Sequence, residues 1–145
     1  MKTLVTGGAG FIGSNLVYQL LQDGHEVTVL DNLLSGYHSN ISALPAVRFI
    51  EGDIRDEGAV DEAIKGADVV FHLAASVGNK RSIDHPILDA EINVIGTLKV
   101  LEAARKIGVR KLVASSSAGI FGELKTLPIK EDHPIEPDSP YGSTK

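Results

Sequence analysis

With 145 residues, a net charge of −5 and no cysteine, the chain has the length of one domain and no disulfide framework or thiolate chemistry, which suits a cytoplasmic protein. The acidic balance argues against nucleic acid or an anionic membrane as partner, no apolar run approaches the roughly 20 residues of a spanning helix, and the N-terminus lacks the apolar stretch of a signal peptide. His25, His38, His72, His85 and His133 are scattered without metal-ligand spacing, so no metal site is expected.

The first predicted strand is KTLVTG, and a glycine loop, TGGAGFIGS, follows it directly. Gly7, Gly10 and Gly13 lack the Cβ atoms that would keep a pyrophosphate away, and the helix opening there would aim free N–H groups at the phosphates. A glycine-rich turn without a ligand is the alternative. The helix, FIGSNLVYQLLQDG, is expected to put Ile12, Leu16 and Leu20 on one face and to stop at Gly24. HEVTVLD predicts the second strand, ending on Asp31, 18 residues after Gly13. That is near the spacing of an acid that binds the adenosine ribose hydroxyls; a solvated strand-end aspartate is the alternative. Residues 3–47 contain no Lys or Arg, so a 2′-phosphate would find no local cation, and NAD is favoured over NADP.

Residues 32–45 read as loop, and VRFIEGD as the third strand. Asp53 is a candidate for the adenine amino group, with Ile54 against the ring; a loop-capping aspartate is as good a reading. EGAVDEAIKG predicts the second helix. ADVVFHLAA predicts the fourth strand, whose small Ala74 and Ala75 would let a dinucleotide approach or else serve strand–helix packing. PILDAEINVIGTLKVLEAARKIG predicts one long helix ending at Gly108. RKLVASSS predicts the fifth strand, with its serines at the carboxyl edge, where open α/β sheets bind ligands. Residues 122–140 form a Pro- and acid-rich connection, and SPYGSTK supplies a helix start with Tyr141 and Lys145 four apart on one face. A nearby ammonium and an oxidised nicotinamide would favour a phenolate at Tyr141, which could then take a proton from a substrate hydroxyl. The nearly continuous apolar strands and intervening helices imply an α/β fold with a parallel sheet.

In order, TGGAGFIG, DNLLSG, GDIRD, HLAA, EINVIGTLKVLEAA, SSSAGIFG and SPYGSTK resemble the extended short-chain dehydrogenases/reductases, the NAD-dependent epimerases and dehydratases of nucleotide sugars. The resemblance implies a Rossmann-type doubly wound sheet of order 3-2-1-4-5. It implies NAD contacts from Phe11, Ile12, Asp31, Asn32, Ser35, Asp53, Ile54, Leu73, Ala74 and Ala75, and an active-site asparagine at Asn93, for which backbone bonding inside the helix is the alternative. Ser117 would be the catalytic serine and Tyr141 the acid/base. Lys145 would hold the ribose hydroxyls and support the tyrosine.

The family's 4,6-dehydratases carry an Asp-Glu pair where this chain has Ala118 and Gly119. The resemblance therefore implies epimerisation of a UDP-sugar, as in the UDP-glucose 4-epimerases, with a homodimer expected of the full-length form. Val77 stands where some of these epimerases have lysine, and Phe121 where tyrosine is usual. Less than half of a typical member is covered, so residues 1–145 are expected to be one NAD-binding domain lacking the later strands and the substrate domain. A non-catalytic NAD-binding module, another dehydratase or reductase of the family, and a domain with an empty groove remain the alternatives.

Overall fold

The structure, a computed structural model, describes residues 1–44 and 46–145. Its elements are β1 (Lys2–Thr6), α1 (Phe11–Gln22), β2 (Glu26–Asp31), β3 (Val47–Glu51), α2 (Glu57–Ile64), β4 (Val69–His72), α3 (Asn79–Asp84), α4 (Pro86–Ala90), α5 (Thr97–Ile107), β5 (Lys111–Ala114) and α6 (Pro140–Thr144). A π-helical segment, Glu91–Gly96, lies between α4 and α5, and 3-10 turns lie at His38–Asn40 and Ala118–Phe121. The chain divides into two compact units: Met1–Ala74 with Gly96–Ser115, and Ala75–Ile95 with Ser116–Lys145.

The first unit is built on a parallel sheet of order β3-β2-β1-β4-β5, the order implied by the sequence. β1 is central, pairing with β2 (Val5 opposite Val29) and β4 (Val5 opposite Phe71). Its residues Leu4 and Val5 are fully buried, which explains why the strand reads as a continuous apolar run. α1 lays Gly13, Val17 and Leu20 on the core beside Val27, Val29 and Ile41. Two of the three expected face residues hold: Leu20 is buried and Leu16 packs against the core, but Ile12 is exposed, because the close seat of Gly13 fixes the rotation of the helix. α1 ends as expected, with Gly24 at φ 75° and His25 N–H donating to Leu20 O at 3.0 Å. Asp56 caps α2 by accepting from Gly58 N–H at 2.8 Å.

In the second unit, α6 packs against α3, α4 and the Ala118–Phe121 turn. α3 was not expected: its sequence, NKRSID, has no apolar stripe, and only Ser82 is buried. The long helix expected over residues 86–108 is also not a single α-helix. The π segment interrupts it at the stretch that carries Asn93, and π segments of this kind recur at functional sites.

Candidate functional site

In the first unit the glycine loop joins the carboxyl end of β1 to α1, and its three glycines have different reasons to be glycine. Gly7 sits at φ 72°, and a Cβ there would lie 2.7 Å from Ala74 N. At Gly13 a Cβ would lie 2.1 Å from Gly7 O and 2.7 Å from Gly8 Cα, so the helix start is seated directly on loop backbone. Gly10 differs. It has extended backbone, φ −76° and ψ 177°, which any residue adopts, and the one atom its Cβ would crowd is Gly7 O at 3.3 Å. Turn and packing account for Gly7 and Gly13; at Gly10 the fold asks for little. The division matches the three roles of a dinucleotide loop, with the middle glycine left for backbone approach by a pyrophosphate. No side chain caps the α1 N-terminus, which leaves its N–H groups to an anion.

Asp31 is buried at the end of β2 and braces this loop. One carboxylate oxygen accepts from Ala9 N–H at 2.9 Å and the other from Leu33 N–H at 2.9 Å. Each oxygen keeps a second lone pair for a hydroxyl. Asp53 is held by Arg55, whose guanidinium donates to both of its oxygens at 2.9 and 2.8 Å, and Asn32 Nδ2 adds a bond at 2.8 Å. The bonds from the Arg55 side chain, together with those from its backbone and from Asn32, hold the Asp53 carboxyl well below the usual carboxylate range, against the opposing effect of burial. Ile54 is 5% exposed, so little of its side chain is left for a ring. Phe11, Ile12, Asn32 and Ser35 are exposed, and Leu73 and Ala74 half-buried. A chain of hydrogen bonds, buried at its centre, runs from Ala74 N–H to Thr6 Oγ1 (3.3 Å), Thr6 Oγ1 to His72 Nδ1 (2.7 Å) and His72 Nε2 to Thr97 Oγ1 (2.9 Å).

The second unit holds Ala75, Asn93, Ser117, Tyr141 and Lys145. Ser139 caps α6 by accepting from Gly142 N–H at 3.1 Å, with Pro140 in the first turn, as the SP dipeptide predicts. Gly142 lets α6 close on the 3-10 turn, since a Cβ there would lie 2.3 Å from Gly119 O. A Cβ at Gly122 would lie 1.9 Å from Glu136 O, so the end of the turn sits against the segment before α6. Ser117 caps the same turn by accepting from Gly119 N–H at 3.2 Å, which leaves its hydroxyl proton to donate. A Cβ at Gly119 would touch both Ser117 Oγ and Tyr141 Cδ1 at 3.5 Å. Ser117 and the Tyr141 ring thus flank one small space, kept open by the absence of a side chain at position 119. Lys145 is half-buried; burial pushes its ammonium down from the ordinary lysine value, and the Asp89 carboxylate opposes that fall.

Asn93 binds backbone, although not that of its own helix. Its Oδ1 accepts from Ser76 N–H at 2.8 Å, and the two protons of its Nδ2 are shared among Ser76 O at 3.0 Å, Thr144 Oγ1 at 3.0 Å and Asp89 Oδ2 at 3.2 Å. Sequence reasoning did not single out Asp89 or Thr144. The signal available was the four-residue step from Asp89 to Asn93, which puts both on one helix face. Val77 is exposed, and Phe121 packs edge-on against His133, with ring centroids 5.3 Å apart. Lys125 N–H donates to His133 Nε2 at 3.1 Å, securing the irregular segment before α6.

The chain is similar to known proteins in sequence and in fold. The chain is 46% identical to the UDP-glucose 4-epimerase of Mycolicibacterium smegmatis, covering 100% of this chain and 48% of that one. The crystal structure of Thermus thermophilus UDP-glucose 4-epimerase in complex with NAD superposes with a TM-score of 0.93 at 44% identity, over 100% of this chain and 47% of that one. A dTDP-glucose 4,6-dehydratase from Streptomyces venezuelae with NAD bound gives 0.92 at 39% identity, over 100% and 48%. The chain thus spans about half the length of the relatives it matches. Matched over residues 4–145 by the family model described as GDP-mannose 4,6 dehydratase, the chain belongs to that family of nucleotide-sugar epimerases and dehydratases.

Proposed function

We propose that the chain is the NAD-binding and proton-transferring part of a nucleotide-sugar epimerase acting on a UDP-sugar. The observation that carries this reading is the space at Gly119, between Ser117 and Tyr141. A dehydration needs an acid to expel water, and this is where the family's dehydratases hold one; here no side chain enters. NAD fits the first unit through the open backbone at Gly10, the uncapped α1 N-terminus and the spare lone pairs of Asp31. Phe11, Ile12, Asn32, Ser35, Asp53, Leu73, Ala74 and Ala75 are proposed to line the same cofactor, Ile54 to approach it through its backbone, and Asn93 to support it.

When bound, NAD would supply the acceptor for a hydride from the sugar carbon and the donor for its return. Tyr141 Oη takes the proton of the sugar hydroxyl as that carbon is oxidised and gives it back on reduction. Ser117 Oγ donates a hydrogen bond to the same sugar oxygen, using the proton that its cap does not engage. The Lys145 ammonium, four residues on, offers donors to the ribose hydroxyls.

The test is made on a chain extended to the length of the relatives. It is expected to interconvert UDP-glucose and UDP-galactose in a coupled assay, with Tyr141→Phe lowering turnover at least ~10²-fold while leaving NAD affinity unchanged. Full activity in Tyr141→Phe, or release of water from the sugar in place of inversion, would overturn the reading.

A further inference from the structure

On α6, Tyr141 lies between two hydroxyl anchors. Before it, the buried Ser139 accepts from Gly142 N–H at 3.1 Å and donates to Asn79 Oδ1, on α3, at 3.2 Å. After it, Thr144 Oγ1 lies 2.6 Å from Asp89 Oδ2, on α4, and 3.1 Å from Tyr141 O. A hydroxyl has one proton to give. The carboxylate is the closer acceptor, at a length typical of a hydroxyl donating to a carboxylate, and Tyr141 O already accepts from Lys145 N–H at 3.2 Å. The Thr144 proton therefore goes to Asp89. Asn93 Nδ2 completes the arrangement, 3.0 Å from Thr144 Oγ1 and 3.2 Å from Asp89 Oδ2.

Asp89 is 1% exposed, and its Oδ1 lacks a hydrogen-bond partner, so among the described residues the carboxylate is held through Oδ2 alone. Burying such a group is costly, and an apolar side chain of similar size would fill the place at lower cost. What an apolar side chain could not do is hold Thr144. That hold bears on Tyr141, because residues three apart on a helix neighbour one another. The Tyr141 ring lies across the Gly119 space from Ser117. A turn of α6 about its axis would carry the ring off Ser117, and a bond fixed at Thr144 opposes that turn.

We propose that Asp89 is a positioning residue: its Oδ2, through the Thr144 hydroxyl, fixes the rotation of α6 and so holds the Tyr141 ring beside Ser117. Asp89 acts here as a hydrogen-bond acceptor, so the bond matters and the charge does not. This rests on the reading of Tyr141 as the proton-transferring group, but its first test needs neither NAD nor sugar, so the two can fail separately.

That test follows the nuclear Overhauser effect between the Tyr141 ring and the Gly119 Hα protons in the 145-residue chain. Thr144→Val removes the hydroxyl at constant shape, and Asp89→Leu removes the acceptor; each is expected to lose the effect. Thr144→Ser and Asp89→Asn keep donor and acceptor and are expected to retain it. An effect that persists in Thr144→Val, or that disappears in Thr144→Ser or Asp89→Asn, overturns the proposal. Should Thr144→Val and Asp89→Leu fail to fold, the wild type decides. Its Thr144 side chain is expected to hold one χ1 rotamer, read from three-bond couplings, and averaging over rotamers overturns the proposal equally. In a chain extended to the length of the relatives, Thr144→Val is expected to lower kcat at least ~10-fold with KM and NAD affinity unchanged, and Thr144→Ser to restore it. A fall that Thr144→Ser does not restore overturns the proposal. An extended wild type without activity sinks the reading of Tyr141 and leaves the ring contact to decide the role of Asp89.

Discussion

At the scale of single residues, the glycine loop separates what the fold requires from what a ligand requires. Gly13 is pressed against backbone that cannot swing aside, with 2.1 Å between its missing Cβ and Gly7 O. Gly13→Ala is expected to cost about 1–3 kcal/mol or more, as overpacking does, read from urea unfolding. Gly10→Ala meets one atom at 3.3 Å and already has a permitted backbone, so its stability cost is expected to stay under about 1 kcal/mol. Its effect should fall on NAD, with affinity at least tenfold weaker (about 1.4 kcal/mol) by calorimetry. A Gly10→Ala chain that binds NAD as tightly as wild type would remove the case for a phosphate site at this loop.

Among the elements, β5 stands apart. It is hydrogen-bonded to β4 on one side, and no described strand pairs with the other. Val113 is 40% exposed there. Open edges with apolar side chains invite further pairing, so concentration-dependent self-association is expected in sedimentation, and Val113→Lys should shift it toward monomer. A wild-type chain that sediments as a monomer at high concentration contradicts this. All five strands were legible in the sequence from their apolar runs, even β3 and β5, which the fold leaves partly exposed; their order was implied by the family resemblance. α3 left no such trace, being short, polar and mostly solvent-facing. The π segment was hidden for another reason. Asp89, Asn93, Gly96, Val100 and Ala104 are buried, and their spacing keeps an ordinary helical period, so the pattern does not announce the change in hydrogen bonding.

At the scale of the whole chain, charge and length set the expectations. The 145-residue chain, with no cation in residues 3–47 and Asp31 buried beside the loop, is expected to bind NAD at least about tenfold more tightly than NADP, about 1.4 kcal/mol. It spans about half of its relatives, and is therefore expected to show no epimerisation of UDP-sugars under conditions where it binds NAD. Equal affinity for the two nucleotides would contradict the first expectation, and measurable turnover the second. The candidate site was legible as a series of positions, since every motif but that of Asn93, which lies within the π segment, stands at the end of a strand or the start of a helix. Its wiring was not. Asp31 reaches Ala9, Asn93 reaches Ser76 and Thr144, and Thr6 reaches His72. Such partners lie far apart along the chain and become neighbours only when the backbone is folded.

The seat of Gly13 on Gly7 and Gly8 has one more consequence. Where main chain rests on main chain, there is no soft side chain to absorb a displacement, and the loop holds its shape because the surrounding core holds its own. The ordering of this segment is settled during folding, before any nucleotide arrives, so little entropy remains to be lost at the moment of encounter. A pyrophosphate held as proposed would meet a loop whose shape is already set. Loosening that contact would be felt as slower capture and quicker escape of the same ligand, with every touching group still present.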